Sequence, residues 1–401
     1  MVRTRIIHKR DKTKARNAGA LLMSMSFGLV LADPDLFADL APAAFASAFM
    51  AMAASRRSLL AEFHFRKHYR RSPFDWGSWT DAKCQDSLHM RRVHVDQLLD
   101  LFVVPALSNH PRWNAELRCF FSLNKCRFSV QEVLVTVLAR FRSADHWSHV
   151  AQILGGRHES AYKILFNEVV ALLHSFWFDR LMDMRPWAQQ CSVWARAIHS
   201  KTHASPRCIG MLDGTFIEIP KPTGNDIVQR QMYNRYYRAH GIKFQSVVVP
   251  TGLLFNLYGP NAGKFPDSKI LGKSGLMGQM AELSELAGNH YVLYADCAYG
   301  LEPHLLRGLK RNMLRTREDR EYQSAMNSPR TSVEWGFGEV AQDWPWLRRK
   351  ILQKVLLSPV AVFWQMAAVL SNVKTCLKQG NVISDFFGLR PPTISRYLAL
   401  E

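Results

Sequence analysis

The chain predicts a mixed α/β fold: a sheet flanked by helices, preceded by a helical N-terminal region. Three observations carry this. From Ser129 to Phe176 apolar residues recur at helical spacing. From Cys208 the pattern changes to short apolar runs bounded by turn residues. Those runs are mixed with, and then followed by, helical segments, as in an α/β or α+β domain.

Taken in order, residues 1–16 hold seven Lys/Arg against one acid, Asp11, and Gly19 to Ala32 is almost wholly apolar. Basic-then-apolar is the outline of a secretory signal, while Lys9 to Arg16 equally fits a nuclear address. The reading adopted for 1–60 is a poorly ordered extension. Residues 61–200 read as a helical DNA-binding region. Its first part, Arg56 to Arg92, is basic and aromatic and suggests a helix, a polar turn and a second helix near Val93–Phe102. Next, Val133 with Val137, and Leu134 with Leu138 and Phe141, stack at helical intervals. A helix-turn-helix-like unit is expected near 145–176. Asp145 would cap a helix through Ile153, Gly155-Gly156 would break it, and Ser160 would cap a second from Ala161 to Phe176. Arg157 and Lys163 open that second helix and could reach phosphates or base edges; plain helix packing is the alternative.

Residues 205–380 read as the catalytic domain. Strands are expected at Cys208–Ile219, at Lys243–Val249 and Leu253–Tyr258 around the turn Pro250-Thr251-Gly252, and at Tyr291–Ala295. Ser268–Ala287 reads as helix, and helices dominate from there. Ser358 to Leu377 is apolar enough to imitate a membrane span, but Gln365, Ser371, Asn372 and Lys374 interrupt it, so a buried terminal helix is expected. A tail, 381–401, closes the chain.

Composition bounds the function. The 401 residues are 48% hydrophobic and 21% charged, enough to bury a core and too apolar for disorder. Lys plus Arg is 52 and Asp plus Glu is 33, so the net charge is 52 − 33 = +19. That excess suits a polyanion partner. Seven Cys with no CxxC pair argue against a disulfide framework and for a reducing compartment. Residues 344–384 contain no acid, yet include Arg348, Arg349 and Lys350. Lys264 and Lys269 flank Asp267. Such cations could neutralise phosphates, or form a solvated surface.

Three acids stand out. Asp213 interrupts the apolar strand Ile209-Gly210-Met211-Leu212, where an acid is costly unless paired or bound to metal. Asp296 ends the run Tyr291 to Ala295, where α/β folds place site residues. Glu334 lies in a helix expected to be capped by Ser328 and opened by Pro329, with Val333, Phe337, Val340 and Trp344 as its buried stripe. Each also has a structural reading, including a helix pair between Glu334 and Arg330.

Together they resemble a known family. Cys208 to Ile219 is similar to the GxxDGT strand of PIF/Harbinger-type DDE transposases, a group that includes domesticated Harbinger-derived nucleases. Met232 to Gln245 resembles the family's Tyr-Asn…His-Gly…Phe-Gln segment. Gly263 to Leu271 resembles its Gly-x-x-x-Asp-Ser element, Ala295 to Gly300 its GDSGY-like box, and Val333 to Gly338 its Val-Glu-Arg-x-Phe-Gly helix. The likeness covers about Cys208 to Leu377, with a looser match from Arg92. Ala295, Cys297 and Trp335 depart from the usual Gly, Ser and Arg.

The resemblance implies an RNase H-like fold and a Mg²⁺- or Mn²⁺-dependent endonuclease or transposase. Asp213 would bridge two ions, Asp296 would hold one of them and Glu334 the other. Ions about 4 Å apart can activate water and stabilise the leaving 3′ oxygen. The 3′ hydroxyl so formed would then join to an A·T-rich target. Arg157, Lys163, Lys264, Lys269, Arg330, Arg348, Arg349 and Lys350 are the expected DNA contacts. The resemblance also implies DNA ends as partner, a Myb/SANT-like helper protein, a homodimer, nuclear residence and no membrane. A domesticated DNA-binding or adaptor protein without catalysis is the alternative. Asp267 reads as a helix N-cap at least as readily as a site residue, and Glu218 as solvent-facing.

Overall fold

The structure, a computed structural model, describes residues 74–155, 157–203, 205–223, 226–309, 315–350, 353 and 358–399, the side chains of 327–333 and 399 excepted. The extension expected over 1–60 lies outside the described residues. Two compact units divide the chain. One takes the chain up to Phe176, Pro222–Val228 and Trp344–Met366; the other takes Trp177–Lys221, Gln229–Asp343 and the chain from Ala367.

In the first unit, α1 (Asp81–Leu88) begins where the Thr80 side chain accepts from the Lys83 amide. After it, α2 (Arg92–Leu98) passes through a π-turn at Leu99–Val103 into α3 (Val104–Leu107). An antiparallel sheet follows, built from β1 (Trp113–Asn114), β2 (Cys119–Phe121) and β3 (Arg127–Ser129). The sequence reading, wholly helical here, misses it. Strands of two or three residues are too short for alternation to show.

The centre of this unit is α4 (Val130–Arg142). Ser129 caps it by accepting from the Glu132 amide, and every residue from Glu132 to Phe141 is buried. Its Phe141 packs with Phe166, Trp346 and Phe363, ring centroids 4.9 to 6.5 Å apart within the group. Arg140 lies between the Trp147 and Trp346 rings and donates to the Asp145 carbonyl. Burial pushes its pKa down to about 10. Next come α5 (Trp147–Ile153) and α6 (Glu159–Leu181). His146, not Asp145, caps α5. The second helix starts at Glu159 and outruns the expected end at Phe176, because Trp177 and Leu181 continue its buried face.

The second unit is a mixed sheet with helices against it. Its elements are α7 (Cys191–Thr202), β4 (Cys208–Glu218), α8 (Asp226–Met232, in this unit from Gln229), β5 (Tyr233–Asn234), β6 (Ala239–Val248), β7 (Leu254–Ala262), α9 (Asp267–Ser274), α10 (Leu276–Leu286), β8 (Val292–Ala295), β9 (Leu305–Arg307), α11 (Arg317–Asp343), α12 (Val360–Lys378, in this unit from Ala367), α13 (Val382–Phe387) and α14 (Ile394–Ala399). Strand order is β5-β6-β4-β8-β9, with β7 also on β6. β4 runs antiparallel to β6 and parallel to β8, and β8 is parallel to β9. The expected strands are all present; β5 and β9, two and three residues long, are additions.

Two helix boundaries differ from expectation. Gly275 takes φ +66° and splits the expected single helix into α9 and α10. α11 does not begin at Ser328-Pro329 but at Arg317. Thr316 and Asp319 cap it reciprocally: the Asp319 amide donates to Thr316 Oγ1 and the Thr316 amide to Asp319 Oδ2. Its backbone continues through Pro329 and packs on β4, β6 and β8, with Gly336 against Val248. α12 is long and apolar enough to cross a membrane, yet its apolar window is wholly buried within the protein. Asn372 ties it to β7 by exchanging hydrogen bonds with both the amide and carbonyl of Leu254.

Candidate active site

Met211 on β4 lies opposite Tyr294 on β8 in parallel register. Asp213, in the middle of β4, and Asp296, just past the end of β8, each stand two residues beyond that pair, so the register sets them level on neighbouring strands, whose backbones are about 4.8 Å apart where they pair. The local sequence explains the position. Ile209, Met211 and Leu212 are buried, and β8 is buried from Val292 to Ala295, so both strands run in the core until the acids emerge half-buried. The Asp213 Oδ1 accepts from the Gly214 amide at 2.8 Å. The Asp296 Oδ1 accepts from the Ala298 amide at 2.8 Å, a turn that ends the strand.

That turn sends Tyr299 back inward. Its hydroxyl is buried, with no hydrogen-bond partner among the described residues. Burial, followed by the negative charges of Asp267, Asp213 and Asp296, holds its pKa well above the ordinary phenol value. The charges of three aspartates therefore bear on one phenol. Asp267 comes close because residue 214 is glycine: a Cβ there would stand 2.8 Å from Asp267 Oδ1 and 3.6 Å from the Tyr299 hydroxyl.

Asp267 corrects the sequence reading. It is the first residue of α9, the N-cap is Pro266, and no side-chain cap is made. Its carboxylate instead accepts from Lys243 Nζ at 2.5 Å, and Lys243, largely buried, also donates to the Phe265 carbonyl. The missed signal was Lys243 itself: a lysine among Ile242 and Phe244 in a buried strand needs a carboxylate partner.

Glu334 lies exposed on α11, the helix packed on β4, β6 and β8. Gly336 and Val340 face inward, which turns Glu334 outward with Gly338. Among the described residues no three His, Cys, Asp or Glu side chains are grouped closely enough to hold a metal ion. The register sets Asp213 and Asp296 level on neighbouring strands, Asp267 lies beside Gly214, and Glu334 stands on the helix packed against the same sheet. Carboxylate oxygens such as those of Asp213 and Asp296 are the hard donors that a divalent cation such as Mg²⁺ takes, but the described residues form no three-ligand group.

The expected DNA contacts divide. Arg157 is committed to the protein: Nε donates to the fully buried Glu132 at 2.7 Å, and the guanidinium also donates to the Arg127 carbonyl and covers the Phe128 ring. Lys163 pairs with Glu159 one turn back at 2.8 Å. Lys264 is exposed and Lys269 half-buried, its ammonium 4.4 Å from the Phe265 ring centre. Arg348, Arg349 and Lys350 are exposed, although Arg349 also donates to the Ala144 carbonyl. The Arg330 side chain lies outside the described residues. Glu218 is exposed, as expected.

No curated protein and no solved structure matches the chain. One family model does, over residues 212–372, and its description is DDE superfamily endonuclease. The matched stretch contains Asp213, Lys243, Asp267, Asp296, Tyr299 and Glu334. The match supports the DDE superfamily and a nuclease- or transposase-like function for residues 212–372, and it is this stretch that is similar to the DDE superfamily endonucleases.

Proposed function

We propose that the protein is a divalent-metal-dependent DNA endonuclease or transposase of the PIF/Harbinger type, with an RNase H-like catalytic domain. What supports it is the parallel register of β4, which carries Asp213, with β8, which leads into Asp296, within the stretch similar to DDE endonucleases. Asp213 and Asp296 would hold the metal, and Glu334 would join them from α11. Bound divalent ions supply a water made nucleophilic near neutral pH and a stabilised leaving oxygen. The chain's own residues orient and neutralise. The Lys243–Asp267 pair fixes the wall beside Gly214, and Tyr299 offers a hydroxyl to whatever occupies the space between the aspartates. The partner is DNA, approached through the exposed Lys264, Arg348 and Lys350, with the +19 charge as the long-range attraction. Nuclear residence, action as a homodimer on two DNA ends, and a Myb/SANT-like helper belong to the same reading.

The exposed position of Glu334 favours a second reading, a domesticated DNA-binding protein that retains the fold without the chemistry. Nicking of supercoiled DNA separates the two. Under the first reading nicking requires Mg²⁺ or Mn²⁺, stops with a chelator, and falls at least 100-fold in Asp213→Asn while DNA binding persists. Binding without any metal-dependent nicking selects the second.

A further inference from the structure

Between β5 and β6 the chain turns through Arg235, Tyr236, Tyr237 and Arg238, and all four are exposed. Tyr236 is 86% and Tyr237 51% exposed, an unusual outlay of aromatic surface. The turn beneath them is nevertheless built firmly. Asn234 is buried, its Oδ1 accepts from the amides of Tyr236 (2.9 Å) and Tyr237 (3.2 Å), and its Nδ2 donates to the Gly263 carbonyl at 2.7 Å. Two glycines let the hairpin lie close. A Cβ on Gly241 would overlap the Phe216 ring, and one on Gly263 would overlap the carbonyls of Gly241 and Met232.

The rings are held in a definite arrangement. Tyr237 lies flat on Phe216, centroids 4.5 Å apart and planes 8° from parallel. Tyr236 stands edge-on to Tyr237 at 5.0 Å and 89°. One face of Tyr237 is therefore covered by Phe216, and Tyr236 forms a wall at right angles to it. Burial first, and then the charges of Asp267, Tyr236 and Asp213, raise the Tyr237 pKa. Phe216, its support, is three residues along β4 from Asp213 and on the opposite face of the strand.

A floor and a wall of aromatic surface, flanked by two guanidinium groups, suit a single flat ring on an anionic backbone. Bases within a duplex are already stacked on both faces, so the fitting occupant is an unpaired one. We propose that Tyr236 and Tyr237 form a stacking platform for an unpaired nucleobase of a DNA strand, with Arg235 and Arg238 meeting its phosphates. The proposal rests on the nuclease reading for the identity of the polymer, but its test does not depend on cleavage.

The test uses the full chain in chelator, with single-stranded oligonucleotides carrying 2-aminopurine and a blunt duplex of the same sequence. Binding to the wild type is expected to quench the fluorescent base. Tyr236→Ala and Tyr237→Ala should each weaken single-strand affinity by about ten-fold, the scale of one lost base–aromatic stack, and abolish the quenching. Tyr237→Phe should retain both, and duplex affinity should change less than two-fold. Tyr236 is so exposed that its alanine variant should unfold at the wild-type temperature. Equal losses for single strand and duplex, unchanged single-strand binding in both alanine variants, loss in Tyr237→Phe, or no DNA binding by the wild type would each overturn the platform. Quenching without metal-dependent nicking would leave the platform standing and remove the nuclease reading. Nicking without quenching would do the reverse.

Discussion

Lys243 Nζ lies 2.5 Å from Asp267 Oδ1, and the pair joins the middle of β6 to the start of α9 beside Gly214. Lys243 is almost wholly withdrawn from water, so each group depends on the other. Removing one partner of a buried pair costs about 3–5 kcal/mol, because the remaining charge is stranded. Asp267 is about a quarter exposed, which softens its share. Asp267→Asn should therefore lower the unfolding free energy by roughly 2–4 kcal/mol. The double change Lys243→Met with Asp267→Asn should recover part of it. Urea titrations of the four proteins in the cycle give the coupling directly, and additive losses would show that the two groups do not support each other.

Tyr299 makes the opposite kind of prediction. Its hydroxyl is buried and unpartnered among the described residues, which costs about 1–3 kcal/mol. Tyr299→Phe should raise the melting temperature. If the hydroxyl serves the aspartates around it, the same change should lower the nicking rate about ten-fold or more. A variant that gains stability and keeps full activity would make Tyr299 a packing residue only.

Arg157 was expected to touch DNA and instead neutralises Glu132 in the core of the first unit. Arg157→Ala should destabilise by about 3–5 kcal/mol, since Glu132 is left buried without its main charge partner. The salt dependence of DNA binding should keep its wild-type slope at temperatures where the variant is folded. A shallower slope would return Arg157 to the DNA-binding surface.

Glu339 sets a pH dependence of stability. Burial, and next the neighbouring Asp343, raise its pKa from 4.5 to about 7, against the opposing pull of Lys374 and the hydrogen bond from Asn381. Between those values the folded state holds a proton that the unfolded chain releases, so stability is greatest below about pH 4.5 for this group and is lost as pH rises through 7. The expected loss is about 3 kcal/mol. Glu339→Gln mimics the protonated form and should flatten this part of the stability–pH curve, as read by chemical denaturation from pH 5 to 8.

The sequence made the second unit legible because its strands are long enough to show their pattern. Cys208–Glu218 and Val292–Ala295 are buried runs ended by acids, and their alignment on neighbouring strands follows from a parallel crossover. Three features escaped for physical reasons. The β1–β3 sheet and β9 are too short for periodicity to register. Asp267 resembles an N-cap in sequence, and only the fold brings Lys243 to it. The Ser328-Pro329 pair has the form of a helix start, but caps are local signals, and the reciprocal cap at Thr316 together with packing of α11 on the sheet outweighs it.

The pairing of β4 with β8 spans 83 residues of chain, from Met211 to Tyr294. A ribosome-bound chain that has just emerged past Asp213 holds half of a carboxylate pair and no strand to complete it. Closing so long a loop is slow and comes only after the intervening hairpin and helices have been made. A copy that stops short of β8 therefore never acquires the strand that sets Asp296 level with Asp213.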